Sequence, residues 1–453
     1  MKQPALEKLL RFTKQFIRLR TLGHLWNALI KLHEADVASL IEQLSGQERR
    51  IILKLFMDRK MAADRLAAIF SEIKPEVAVE LLSELETPQI TPILEEMSSD
   101  DAASLIALFN EEIQDALLQL MKKEDAVDVQ EQLAYPEESA GRVMSSDFLA
   151  LEETTTAGDA ITAIQLAQDE VEVPFYLYVI DEEQHLKGVV SLKQIILVNP
   201  KTLLGEIMIT DVYKVDAYTD QEEVAAVVAN YNLLAVPVVD EHNRLLGVVT
   251  VDDIIDIIQE EATEDIYKLA GVTQDYSIDL SAGKSLAKRI PWLLTSLLTT
   301  SMSALVVSLF QGTIRQFVIL AVLMPMVAAL GGVVGNQTVA IMVREIVLGN
   351  LDWKRSRKIL FKELIVSMGS GIIIGSLATG AAILLFHQWI FGAIFGAAIL
   401  MNLVIATLLG TLIPLTLRTL RMDPALASGM MVTMLTDVFG YFCFLGLAAV
   451  FLF

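Results

Sequence analysis

The chain has 453 residues, a net charge of -22 at pH 7 and a mean hydropathy of +0.50. This hydropathy is too high for a wholly soluble protein, and a single cysteine excludes an intrachain disulfide framework. The charge is uneven, because nine basic and five acidic residues follow Ile290 whereas 26 basic and 52 acidic residues precede it. The composition therefore predicts an acidic soluble region followed by a membrane region.

Residues 1–33 predict a basic amphipathic helix. Its apolar positions are interrupted by Lys8, Arg11, Lys14, Arg18 and Arg20, so it has no uninterrupted hydrophobic stretch and is not a signal peptide. Two interpretations stay open. The helix packs on the helices that follow, or it contacts the membrane surface or a partner.

Residues 34–134 predict short helices without strands, stacked as an α-superhelix. Turn signals such as "MSSDD" separate the apolar-periodic segments. Asp100 and Asp101 in that signal are interpreted as a helix cap or as part of an ion site.

Residues 135–262 contain an internal repeat with an offset of 59 residues: "LYVIDEEQHLKGVVSLKQII" begins at Leu177 and "VPVVDEHNRLLGVVTVDDII" at Val236. Two β-rich runs and a helix-like segment in each copy predict a small α/β module at 135–200 and another at 201–262. The pair resembles tandem CBS domains. That resemblance implies a nucleotide site, with ATP as the candidate ligand, at Thr250 and Asp253. Gln194 replaces the corresponding acid in the first copy. A dimerising pair without nucleotide is the alternative.

An acidic stripe follows the repeat. Asp253, Asp256, Glu260 and Glu264 share one face of a predicted helix, and the stripe is widened by Glu261 and Asp265. A charge run of this kind is a solvated face, or a face that binds divalent cations and so joins two helices or domains.

Residues 289–453 predict a domain of five membrane-spanning helices, since each of five segments is long and apolar enough to cross a bilayer. The segments are 291–311, 317–348, 358–386, 389–417 and 424–452. Pro325 and "GGVVG" in the second predict a kink or partial unwinding. Every basic cluster between spans falls on the side of the soluble region, which predicts a cytoplasmic N-terminus and a C-terminus outside.

Asp437 lies at membrane depth. It follows Asp423 by 14 residues, or about 21 Å of helix. An acid there costs about 2.5–3.5 kcal/mol on insertion scales, and such residues mark ion or proton paths. Asn336, Gln337 and Thr433 are predicted to line the same path, with helix–helix hydrogen bonding as the alternative. Mg²⁺ prefers oxygen ligands such as these side chains supply. The sequence has no cluster of His or Cys residues that would indicate a site for a softer metal.

Several motifs together make the chain resemble the MgtE family of Mg²⁺ channels and transporters. They are "YPEESAGRVM", "VTVDDIID", "EATEDI", "GGVVGNQT" and "DPALAS" with "TDVFG". The resemblance implies a homodimer in the cytoplasmic (inner) membrane, with the pore between two membrane domains. A plug helix, within the connecting segment 263–288, would link the CBS pair to the pore, which cytosolic Mg²⁺ closes. By the same resemblance Asp437 binds the hydrated ion in the pore and Asp423 lies at its cytoplasmic mouth. The sensing acids are Asp253, Asp256, Glu261, Glu264 and Asp265, with Asp100 and Asp101 as further candidates.

Three positions depart from the family pattern. Val333 and Met430 replace an Asn and a Pro in the membrane region, and Asn232 replaces an acid of the second CBS module. Asn232 implies that one sensing site is weak. Val333 and Met430 leave two alternatives open: transport of another divalent cation such as Co²⁺ or Mn²⁺, and a non-conducting membrane sensor of Mg²⁺ or nucleotide. No nucleophile–base pair or Walker motif indicates an enzyme, and no nucleic-acid partner is expected.

Overall fold

A computed structural model describes residues 3–167, 176–271, 282–347, 353–420 and 422–452. The chain forms two compact units, Met1–Ile258 and Gln259–Phe453. The expected fold class, an α-helical N-terminal domain, an α/β CBS pair and an all-α domain of five spans, is confirmed.

The N-terminal domain consists of ten helices. They are α1 (Gln3–Arg18), α2 (Leu22–Leu29), α3 (Glu34–Glu42), α4 (Gly46–Asp58), α5 (Ala63–Ser71), α6 (Pro75–Leu82), α7 (Thr87–Leu94), α8 (Ser99–Ala107), α9 (Glu111–Leu120) and α10 (Lys123–Ala134). Odd-numbered helices from α3 to α9 contact one another in succession, as do even-numbered helices from α4 to α10. Two such rows around one apolar core form the predicted superhelix.

Helix α1 packs on this domain, as the first of the two interpretations expects. Leu6, Leu9 and Phe16 contact the shared core, and Thr13 is buried on the same face. The basic side chains of α1 lie on its exposed face.

The CBS pair contains two three-stranded sheets of identical topology. The first consists of β1 (Ala150–Glu152), β2 (Tyr176–Ile180) and β3 (Leu186–Ser191), and the second of β4 (Val215–Asp216), β5 (Ala235–Val239) and β6 (Leu245–Thr250). In each sheet the first strand runs parallel to the second, and the second is antiparallel to the third. The repeat offset of 59 relates β2 to β5 and β3 to β6 residue by residue. The helices of the pair are α11 (Ala140–Val143), α12 (Ala157–Leu166), α13 (Leu192–Leu197), α14 (Leu204–Ile207) and α15 (Gln221–Tyr231).

The two modules exchange their leading segments. Ser145, in the leading segment of the first module, pairs with Val248 in the second sheet, and α11 packs in the second module's core. Ile209 pairs with Val189 in the first sheet, and α14 packs in the first module's core. Glycines permit both crossings, since a Cβ at Gly188 would lie 2.9 Å from the Ile209 carbonyl oxygen, and the equivalent position 247 is equally crowded by Ser145.

The helix after β6, α16 (Val251–Ala270), carries the acidic stripe. The boundary between the two compact units falls within it. The predicted connecting helix 263–288 thus includes the end of α16 and the start of the next helix, while residues 272–281 between them lie outside the described residues.

The membrane unit contains α17 (Ala282–Leu309), α18 (Gln311–Gln316), α19 (Ile319–Val347), α20 (Trp353–Phe386), α21 (Trp389–Thr419) and α22 (Pro424–Phe451). All except the short α18 are long and apolar enough to cross a membrane, which confirms five spans. Helix α21 contacts α19, α20 and α22 and is the most buried of the five.

Helix α19 is continuous from Ile319 to Val347, so the unwinding expected at "GGVVG" does not occur. Glycine retains its backbone N–H and can therefore continue the helical hydrogen-bond ladder. Its missing side chain instead permits close packing: a Cβ at Gly335 would lie 2.5 Å from Val432 of α22. The small residues of α19 serve helix–helix contact.

Candidate ion pathway and cation-sensing sites

Asp437 lies in α22, within the segment Gly429–Phe451 that can span a membrane. Its side chain is half-buried. In the described part of the chain it has no hydrogen-bond or ion-pair partner, and neither Thr433 nor Thr436 donates to it. Thr433 and Thr436 hydroxyls donate instead to the carbonyls of Gly429 and Thr433, both at 2.9 Å.

Asn336 and Thr433 meet beside Asp437. The Asn336 amide donates to the Thr433 hydroxyl at 3.4 Å, which joins α19 to α22. Thr433 precedes Asp437 by one helical turn, so both lie on the same face of α22. Asn336 also keeps an exposed surface, as does the neighbouring Gln337. The structure thus brings Asn336 and Thr433 together near the carboxylate, whereas Gln337 is only adjacent to Asn336 on α19.

Asn402 of α21 has a packing role. It is fully buried, and its amide donates to the Val327 carbonyl at 2.8 Å. A Cβ at Gly331 or at Gly440 would overlap its side-chain nitrogen, so it fills a space that both glycines leave open. Asn402 therefore holds three helices together.

A cluster of four aspartates forms between the N-terminal domain and the CBS pair. Asp101, in the first turn of α8, lies near Asp252, Asp253 and Asp256 of α16. Asp100, next to Asp101, is buried. Sequence reasoning missed Asp252, because it lies off the stripe of α16 and only the tertiary fold brings the N-terminal domain to it.

The pKa values of Asp101, Asp253 and Asp256 are raised. Burial raises the pKa of Asp101, hydrogen bonds with Ser71 and Ser98 oppose the rise, and the charges of Asp256 and Asp252 add to it. Burial, with contributions from Asp252 and Asp101 and against the hydrogen bond from Thr250, raises the pKa of Asp253 to about 6. Burial and then Asp252 raise the pKa of Asp256. Negative charges are held together here at a cost that a bound cation would remove.

A second charged cluster lies in the membrane unit, where the end of α16 meets the start of α22. Lys268 contacts Glu264 one turn earlier on α16, and its ammonium lies 2.5 Å from an oxygen of Asp423. Burial, then the charge of Asp423, raises the pKa of nearby Asp265 to about 6, and Glu261 and Glu264 contribute. Lys268 was not predicted, although its spacing of four residues from Glu264 is that of a helical ion pair.

Thr250 and Asp253 form a short contact at the start of α16. The Thr250 hydroxyl donates to the Asp253 carboxylate at 2.5 Å. Ser191 and Gln194 occupy the equivalent positions of the first module and form a capping box for α13. Both pairs form side-chain contacts in the first turn of a helix. Only Asp253 adds a negatively charged carboxylate, which could accept hydrogen bonds from a ribose.

No group of three or more His, Cys, Asp or Glu side chains within the described ranges is close enough to hold a bare metal ion.

Family models match in the same order as the domains. The model described as MgtE intracellular N domain matches residues 32–138, the CBS domain model matches 140–200 and 204–260, and the model described as Divalent cation transporter matches 324–447.

Curated relatives match nearly the whole chain. The magnesium transporter MgtE of Bacillus subtilis is 32% identical over 424 residues, 92% of this chain and 94% of the relative. The magnesium transporter MgtE of Thermus thermophilus is 32% identical over 425 residues, 93% of each chain.

Solved structures match the soluble part. The soluble part of a magnesium transporter is 30% identical with a TM-score of 0.50, over 57% of this chain and 99% of that chain. The cytosolic domain of the Mg²⁺ channel MgtE in complex with ATP is 32% identical with a TM-score of 0.50, over 54% of this chain and 98% of that one. With two relatives above 30% identity over more than nine-tenths of its length, the chain belongs to the MgtE family of multi-pass membrane proteins.

Proposed function

We propose that the protein is a Mg²⁺-selective channel or transporter for uptake across the cytoplasmic membrane, closed by cytosolic Mg²⁺ that binds its acidic faces. Asp437 carries the proposal: a carboxylate in a membrane span, with no ion-pair partner in the described residues, is a site for a passing cation. Family membership supports magnesium as the ion, since the relatives are named magnesium transporters.

The pathway we propose forms between two protomers. A carboxylate at Asp437 from each would attract a hydrated divalent ion, and the polar groups of Asn336 and Thr433, with Gln337 beside them, would contact its water shell. Asp423 would lie at the cytoplasmic mouth. The basic loops support a cytoplasmic N-terminal region and an outward C-terminus.

The sensing sites we propose are the two acid clusters. Asp101 with Asp253 and Asp256, beside Asp100, is the first, and Glu264 with Asp423, near Glu261 and Asp265, is the second. Each concentrates negative charge contributed by two separate elements, so a cation that binds between them stabilises their closed arrangement. A ligand shifts such an equilibrium only through its preference for one state.

We also propose that ATP binds the CBS pair at Thr250 and Asp253. The support is the position of this hydroxyl and carboxylate where β6 ends and α16 begins, and the ATP complex of the related cytosolic domain.

The test is Mg²⁺ flux in proteoliposomes for the wild type and Asp437→Asn, with Mg²⁺ varied on the cytoplasmic side. We expect the wild type to conduct at low Mg²⁺ and to close at high Mg²⁺, and Asp437→Asn to lose at least nine-tenths of the flux. Thr416→Val, an exposed position on α21, is the matched control and should conduct normally. Equal flux in Asp437→Asn and wild type would exclude Asp437 as the pore site, and a silent wild type would favour a non-conducting sensor.

A second candidate, another divalent cargo, is favoured by the broader description of the matching family model as a divalent cation transporter. Competition of Mg²⁺ uptake by Co²⁺ and Mn²⁺ in the same vesicles distinguishes it.

A further inference from the structure

Lys268 lies between carboxylates from two helices. Its ammonium contacts Glu264 of α16 and lies 2.5 Å from Asp423, which directly precedes α22. The three side chains are 22%, 10% and 32% exposed, so the contact is partly shielded from water. Partial shielding makes such an ion pair stronger than one at the surface.

This contact also holds the two helices close together. One residue after Lys268, the Leu269 carbonyl oxygen would lie 3.5 Å from a Cβ at Gly429 of α22. The end of α16 is therefore held against the cytoplasmic end of the last span.

Several carboxylates surround Lys268. The cluster contains four carboxylates, those of Glu261, Glu264, Asp265 and Asp423. The Asp265 carboxylate is close enough to the other three to interact with their charges. A divalent cation carries twice the charge of the Lys268 ammonium and would therefore attract these carboxylates more strongly.

We propose that Lys268 is a tethered cation that shares the site of Glu264 and Asp423 with the regulatory divalent ion. Without the ion, Lys268 holds α16 on α22; with it, the ion displaces the ammonium and holds the same two helices more firmly. This inference rests on the proposed function, in which Glu264 and Asp423 sense Mg²⁺.

The physical consequence is competition. A side chain on the same helix is present at an effective concentration in roughly the millimolar range, so the ion must displace the ammonium and binds more weakly than it would without it. Lys268 would thus lower the apparent Mg²⁺ affinity of this site and keep the contact between α16 and α22 partly formed when Mg²⁺ is scarce.

Cross-linking tests the contact without reference to transport. Leu269→Cys and Gly429→Cys are introduced with Cys443→Ser, and the yield with a short thiol cross-linker is measured in full-length protein in vesicles. In Mg²⁺-free buffer, we expect Lys268→Gln to reduce the yield several-fold, Lys268→Arg to retain it, and added Mg²⁺ to restore it in Lys268→Gln. Lys193→Gln, an exposed lysine on α13, is the matched control for loss of charge.

Flux in the same vesicles gives the second readout. Relative to each variant's own Mg²⁺-free flux, Lys268→Gln should be half-inhibited at a several-fold lower Mg²⁺ concentration than wild type. An unchanged cross-linking yield in Lys268→Gln, or a loss that Mg²⁺ does not restore, would overturn the proposal. The expected cross-linking pattern in vesicles without flux would instead leave Lys268 as proposed and reject transport.

Discussion

Asp253 combines two roles in one side chain. It accepts a hydrogen bond from Thr250 at the start of α16 and contributes to the aspartate cluster around Asp101. A helix-capping acid needs no neighbouring carboxylates, so the crowding by Asp101 and Asp252 has no local structural benefit. The electrostatic repulsion that Asp253 experiences from these two carboxylates favours a cation-sensing role for it.

The raised pKa of Asp253 predicts how stability depends on pH. Its pKa is about 6 in the folded protein, whereas an unfolded aspartate has a pKa of about 3.9. Between these values the folded state holds a proton that the unfolded state has released, so stability rises as pH falls from 7.5 to 5. We expect a higher melting temperature at pH 5.5 than at pH 7.5 in Mg²⁺-free buffer.

Asp253→Asn should raise the melting temperature at pH 7.5 and make this pH dependence shallower. Saturating Mg²⁺ should also flatten the wild-type dependence, because it stabilises the ionised carboxylates. The same slope in Asp253→Asn and wild type would contradict a raised pKa at this residue.

Asn232 shows how a local role can explain a departure from a family pattern. The resemblance suggested a weakened sensing site at this position. In the structure Asn232 ends α15 with φ of 52° and ψ of 47°, a left-handed conformation that asparagine tolerates better than most residues. The substitution therefore has a backbone reason that is independent of cation binding.

Among the structural elements, α19 and α21 are closely packed where Gly331 meets Asn402. A Cβ at Gly331 would overlap the Asn402 amide nitrogen, which is buried and hydrogen-bonded to Val327. Gly331→Ala must therefore displace Asn402 or separate the helices, at a cost of about 1–3 kcal/mol. We expect a lower melting temperature in detergent and loss of flux.

Gly446→Ala is the matched control, because nothing lies within 4 Å of the added Cβ. It should leave the melting temperature unchanged or raise it slightly, since alanine favours a helix more than glycine does. A similar loss of stability in both variants would contradict the packing role assigned to Gly331.

Sequence patterns predicted the elements better than their contacts. The 59-residue repeat indicated both sheets, and hydropathy indicated five spans, because both signals are local. The exchange of α11 and α14 between modules, the approach of Asp101 to Asp252 and the contact of Lys268 with Asp423 depend on tertiary packing, which leaves no periodic signal. Likewise, "GGVVG" suggested a break in α19, although the same glycines equally suit close helix packing.

At the scale of the whole molecule, exposed apolar residues support the proposed homodimer. Ile196 and Leu197 of α13 are 62% and 73% exposed, and Ile255 and Ile258 of α16 are 59% and 46% exposed. Ile196 and Ile255 occupy equivalent positions of the two modules. Apolar residues at matching positions of a repeat favour a shared contact surface.

Replacing Ile196 and Ile255 together by Asp should weaken this contact. We expect the dissociation constant of the dimer in detergent to rise by about tenfold or more, equivalent to about 1.4 kcal/mol, as measured by light scattering across a dilution series. Leu108→Asp, in the N-terminal domain and 50% exposed, is the control. A dimer that responds equally to both changes would place the contact elsewhere.

Because the two CBS modules exchange their leading segments, they would have to be transferred between proteins as a single unit. A chain cut near residue 200 would leave the first module without α14 and would leave α11 without the second sheet on which it packs. Either module alone would therefore lose part of its own core, so gene rearrangement would have to move the pair together.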